Sequence, residues 1–129
     1  MKPAFRPGKN IAMKVPGHEY DNTVAFYRDV LGFKPKPAGS PDAFESIAFE
    51  FGDKNLWIDR IAGLSQAEVW LEIETDDREA AADYLAGMGC TRRDEIEPLP
   101  ENFSGFWISN PANIINLVVA QAKSDGRRR

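Results

Sequence analysis

Apolar positions along this chain follow two rhythms, and the same pair of rhythms occurs twice in the same order. Ile11 to Val15 is a short apolar run closed by Pro16-Gly17, which predicts a strand. Asp21 or Asn22 can cap a following helix, in which Val24, Tyr27, Val30 and Leu31 share one stripe and Gly32 supplies the stop. Lys34 to Asp42 is rich in Pro, Gly and Ser and reads as a loop. Ser46 to Phe51 and Leu56 to Ile61 read as strands around a hairpin turn at 52–55, and Ala62 to Ala67 as a linker.

The second half repeats the scheme. From Glu68 to Thr75, Val69, Leu71 and Ile73 alternate with Glu68, Trp70, Glu72 and Glu74, so one face is core and the other is wet or lines a cavity. A helix from Asp77 to Met88 turns Ala80, Ala81, Tyr84, Leu85 and Met88 inward. Thr91 to Glu97 is a further strand and Pro98 to Ser104 a loop. Phe106 to Ser109 and Ile114 to Val119 are strands around a turn at 110–113. The sum is βαβββ followed by βαβββ, an α+β protein with mixed, mostly antiparallel sheets. An offset of half a chain length is that of a duplicated half-domain, not of a solenoid. The expected organisation is a single domain over 1–129, with modules at 9–62 and 67–120 and a flexible basic tail at 121–129.

A chain of 129 residues with a 43% apolar and 28% charged composition suits one soluble globular domain with a real core. Its apolar runs are strand-sized, so no membrane span is expected. The first residues lack the apolar core of a secretory signal, and the lone Cys90 has no internal disulfide partner, which together point to the cytoplasm. A formal charge of −4 argues against nucleic acid as a partner. Arg127 to Arg129 read as a solvated end.

With this element order, Ala25-Phe-Tyr-Arg-Asp-Val-Leu-Gly-Phe33 and Ser109-Asn-Pro-Ala-Asn-Ile-Ile-Asn-Leu117 make the chain resemble the vicinal oxygen chelate superfamily, which includes glyoxalase I, extradiol dioxygenases and bleomycin-resistance proteins. The bleomycin-resistance branch is the nearest in pattern. The first motif is mostly packing and speaks for fold; chemistry must be argued from the site. The resemblance implies a metal ligand from the first and last strand of each copy. On those positions stand Asn10, Asp59, Trp70 and Asn116. Two amides, an indole and one carboxylate are a poor set for zinc, nickel or iron. No metal or other cofactor is therefore expected, and the only histidine, His18, reads as a solvated loop residue.

The resemblance also implies a cleft on the concave side of the sheets, and alternation carries other residues with the four. Trp57, Glu68, Glu72, Ile114 and Val118 are expected to share that side. The ligand-binding set is then Asn10, Trp57, Asp59, Trp70, Glu72 and Asn116, with no catalytic residue assigned. Indoles and carboxylates together suit a small cationic or flat aromatic molecule. Against this stand plainer readings: the tryptophans as core or dimer-interface residues, the glutamates as a solvated face, Asp59-Arg60 as a surface ion pair, and Phe44, Phe49 and Phe51 as core. Two functions of different class follow. One is metal-free small-molecule binding, with sequestration of a toxic or antibiotic-like compound as its biological form. The other is a divergent glyoxalase-, lyase- or dioxygenase-type enzyme, in which Asp59 or Glu72 serves as a base. A homodimer is expected, since related proteins complete their clefts by pairing modules and open sheet edges need cover.

Overall fold

Each repeat folds as strand, helix and three strands in a computed structural model whose described residues are 2–37 and 44–120. The predicted tail, and the predicted loop beyond residue 37, lie outside the described residues. Two compact units result: Lys9–Trp70, and Leu71 onward together with the N-terminal segment up to Gly8.

The strands and helices are β1 (Phe5–Pro7), β2 (Asn10–Pro16), α1 (Gly17–Ala25), β3 (Pro35–Lys36), β4 (Ser46–Phe51), β5 (Lys54–Ile61), β6 (Glu68–Thr75), α2 (Arg78–Gly87), β7 (Thr91–Arg92), β8 (Gly105–Ser109) and β9 (Ile115–Ala120). In the first unit β2 runs parallel to β5, β4 is antiparallel to β5, and β3 closes the edge on β4. Glu68 to Trp70, the first three residues of β6, pair antiparallel with β2. Alternation divides this sheet cleanly. Met13, Val15, Ile47, Phe49 and Ile58 pack with Tyr20 and Val24 of α1 into one apolar cluster. Asn10, Ala12, Lys14, Asn55, Trp57 and Asp59 alternate with them and take the other face.

The first helix differs from expectation at both ends. It begins at Gly17, directly after Pro16, whose φ of −56° and ψ of 147° make the turn out of β2. Asp21 does not cap it; its carboxylate accepts from Arg60 Nη2 at 3.1 Å. His18 accordingly sits in the first helical turn, solvated as expected. At the far end, Phe26–Val30 form a π turn, with Leu31 N donating to Phe26 O at 2.9 Å. Tyr20 and Val24, before this wider turn, are buried, while Val30 within it is rotated off their stripe and is 72% exposed. Gly32, with φ of +76°, ends the helix as its position predicts.

In the second unit the rest of β6 runs parallel to β9, with β8 antiparallel to β9 and β7 on β8. The strand expected at Thr91 to Glu97 is thus only two residues long. Asp77 caps α2, accepting from Ala80 N at 3.1 Å. Ala81 and Ala82 pack on Phe106, Ile108 and Val118, with Phe5, Ile73 and Leu85 around them. Met88 lies past the helix end and is 65% exposed, not inward. No periodicity announces β1, which has one apolar residue. It forms because β6 offers an edge: Phe5 to Pro7 pair with Thr75 to Ile73, and Thr75 Oγ1 donates to Ala4 O at 2.8 Å.

Tyr20 ties the first core to pH. Burial, then the carboxylates of Glu45 and Asp59, push its phenol from 10.0 up to about 12, against an opposing effect of Arg60. Its guanidinium lies 4.7 Å from the Tyr20 ring centroid. The folded state holds this proton more tightly than the unfolded chain does. The stabilisation is therefore complete below pH 10 and is lost as pH rises toward about 12. Urea midpoints taken across that range are expected to fall in the wild type and to fall less in Tyr20→Phe.

Candidate functional site

Strand pairing builds the site on the face of the first unit turned away from α1. Parallel register sets Asn10 beside Asn55, Ala12 beside Trp57 and Lys14 beside Asp59. Antiparallel register sets Trp70 beside Ala12 and Glu68 beside Lys14. Ser46 lies beside Asp59 from β4. Small Ala12 separates the two indoles in the pleat, so the face carries two polar groupings.

The first grouping centres on Asn10. Its Oδ1 accepts from Trp57 Nε1 at 2.8 Å and from Asn55 Nδ2 at 3.0 Å. Lys36 Nζ donates to Asn55 Oδ1 at 2.6 Å. Trp57 is half-buried, and its ring is oriented through its nitrogen.

The second grouping is a buried ion pair. Lys14 Nζ lies 2.7 Å from Asp59 Oδ2, and the two residues are 3% and 4% exposed. Ser46 Oγ donates to the other carboxylate oxygen, Oδ1. The ammonium also stands 4.3 Å from the Trp70 ring centroid and 4.9 Å from that of Phe44. Trp70 is held in turn, its Nε1 donating to Glu68 Oε1 at 3.0 Å. Both oxygens of Asp59 are thus engaged, which does not suit it to take a proton from a substrate. Nor does Asp59 pair with Arg60, whose guanidinium bonds Glu45, Asp21 and Gly17 O around the Tyr20 ring.

Four of the six residues expected from sequence therefore stand on one face: Asn10 with Trp57, and Asp59 with Trp70. Glu72 and Asn116 belong to the second unit, on opposite faces of its sheet. Register pairs Glu72 with Leu117, and Asn116 with Leu71 and Ile108. Alternation sets Asn116 on the side of Val118, which packs on α2, so the expectation that Asn116 and Val118 share a side with Glu72 is corrected. The residue of β9 on Glu72's face is Leu117, one position further on. Glu72 is closely confined: a Cβ on Gly8 would meet its Cγ and Oε1 at 2.6 Å, so glycine is needed there.

Lys14, Ser46 and Asn55 are the residues that the sequence reading missed. Lys14 was within reach of alternation, two places beyond Ala12 on the Asn10 face. Asn55 falls in the turn that the sequence predicts at 52–55 but belongs to β5. Outside this face, a hollow of about 360 Å³ opens between α1 and β4, bordered by Tyr20, Val24, Arg28 and Ile47.

The divalent ion that the resemblance implies does not fit these donors. Asn10 spends its oxygen on Trp57 and Asn55, Asp59 is held by an ammonium and a hydroxyl, and Trp70 presents a ring face. Leu117 carries no donor. Among the described residues no group of three or more His, Cys, Asp or Glu could hold a metal ion.

The βαβββ units and this strand order define the class: an α+β, glyoxalase-like fold. Residues 12–108 match the family model of the glyoxalase-like domain, and the chain belongs to that family. Among solved structures it is similar to an Mn(II)-bound glyoxalase from Novosphingobium aromaticivorans, at 18% identity and a TM-score of 0.62 over 97% of this chain and 44% of that one. A hypothetical protein from Bacillus halodurans C-125 is similar at 12% identity and TM-score 0.65, over 92% and 95%. Homoprotocatechuate 2,3-dioxygenase from Arthrobacter globiformis is similar at 18% and 0.59, over 94% and 38%. The chain thus spans less than half the length of the glyoxalase and the dioxygenase. The family match supports the vicinal oxygen chelate superfamily and does not single out a branch of it. No curated protein matches the chain. No described helix is long and apolar enough to cross a membrane.

Proposed function

We propose that the chain is a metal-free binder of a small, flat organic molecule, seated against the face of the first unit that carries Trp57 and Asn10. One observation carries this reading: the carboxylate that the resemblance assigns to a metal is already held by Lys14 at 2.7 Å. Trp57 supplies an oriented ring for stacking, and the Asn10–Asn55–Lys36 grouping supplies polar selection. Sequestration of a toxic or antibiotic-like compound is the biological role that fits a binder without turnover. Pairing of two copies belongs to the same proposal.

The second reading, a divergent enzyme, has in its favour that the Novosphingobium relative is an Mn(II)-bound glyoxalase. Two measurements separate them. Elemental analysis of protein purified without chelator is expected to find no stoichiometric manganese, iron, nickel or zinc. Tryptophan fluorescence titrated with a panel of aromatic compounds is expected to show saturable quenching. Trp57→Ala should weaken that binding about tenfold or more, in line with the loss of one stacked aromatic contact. One metal ion per chain with turnover of a glyoxalase or dioxygenase substrate would establish the enzyme instead.

A further inference from the structure

We infer that Asp59, Ser46, Trp70 and Phe44 form an alkylammonium cage whose guest is the chain's own Lys14. The geometry is that of cation recognition. A carboxylate oxygen stands 2.7 Å from Nζ, and two aromatic rings face the ammonium at 4.3 and 4.9 Å. Indole and phenyl faces attract a desolvated ammonium, and the attraction grows as water is excluded. Lys14 and Asp59 are both over nine-tenths buried. Two of the walls are themselves fixed: Asp59 by Ser46 Oγ, and Trp70 by Glu68 Oε1. Position in the pleat makes the occupancy obligatory, because Lys14 is opposite Asp59 on one side and Glu68 on the other. The guest is tethered, so its effective concentration exceeds that of any free cation.

This cage has a consequence for the ligand, which rests on the function proposed above. Asp59 and the Trp70 face are already satisfied by an internal cation. A molecule binding beside them is not selected through positive charge, and the protein should favour neutral or anionic aromatics over cationic ones. Of the cationic or flat aromatic ligand expected from the sequence, this keeps the flat aromatic part and reverses the cationic one.

The cage itself is tested without any knowledge of the ligand. Lys14→Ala removes three carbons and the ammonium, which n-propylammonium replaces atom for atom. In the full-length variant, propylammonium is expected to raise the melting temperature saturably, while 1-propanol at equal concentration does not. The wild type should show no such response. Adding Asp59→Asn to Lys14→Ala should weaken propylammonium by about tenfold or more, as loss of a buried charge pair implies. Equal effects of propylammonium and propanol, or an equal response of the wild type, would overturn the cage.

Should Lys14→Ala fail to fold, the wild type still decides. Ring currents from Trp70 and Phe44 should move the Lys14 ε-methylene protons upfield of all other lysines, and Trp70→Leu should return them toward ordinary values. A wild type with no displaced lysine signal would refute the arrangement. Failure of the ligand panel alone would count against the proposed function and leave these results standing.

Discussion

Asp59→Asn is expected to destabilise the folded chain by about 3–5 kcal/mol, because it leaves a charged ammonium buried without its counter-ion. Lys14 is 3% exposed, and its nitrogen lies 2.7 Å from the carboxylate oxygen that the substitution removes as a charge. Asparagine still offers one acceptor, but an amide dipole offsets far less of the desolvation of an ammonium than a carboxylate does. The double variant Lys14→Met, Asp59→Leu should recover most of the loss, since replacing a buried ion pair by apolar groups of similar volume is often neutral. Asp29→Asn is the control. That carboxylate is exposed and bonded to Arg28 at 2.9 Å, and the Arg28 guanidinium holds it below the usual carboxylate range. Its removal should leave stability unchanged. Urea unfolding of the four proteins measures all of this. A midpoint for Asp59→Asn equal to that of the wild type would mean that the pair is not buried as described.

Phe49→Ala is expected to cost about 3–5 kcal/mol, the range for emptying an aromatic site in a packed core. Phe49 is 0% exposed and lies where β4 meets α1, its ring centroid 6.3 Å from that of Tyr27. Truncation removes contacts from Val15, Tyr20, Val24 and Ile58 together. Phe51→Ala, two residues along the same strand face, should cost far less, because Phe51 is 40% exposed. Denaturant unfolding followed by far-UV circular dichroism checks both. Similar losses at the two positions would contradict the described packing. Phe44 completes the comparison. All three phenylalanines read as core in the sequence, yet one is core, one is half-exposed and one faces the Lys14 ammonium.

Strand positions were legible because alternation is a local property. Ser46–Phe51 and Glu68–Thr75 have the bounds that their patterns predict. Gly32 stops the first helix for the same local reason, its freedom to take φ of +76°. The resemblance implies that Asn10, Asp59 and Trp70 share a face, and a period of two adds Trp57 to the side of Asp59.

What adjoins what across strands was not. β1 exists only because β6 has an edge to offer, and the π turn at Phe26–Val30 leaves Val30 exposed without any sequence marker. The register of β9 on β6 puts Asn116, with Val118, on the α2 side and leaves Leu117 beside Glu72. The largest change concerns charge. The sequence by itself determined that Asp59 would lie on the same side of its strand as Trp57. Only the parallel register of β2 on β5 decided that Lys14 would stand next to it, 45 positions away along the chain. Alternation fixes the face of a side chain within its own strand; its neighbours come from pairing between strands, which depends on the whole sheet.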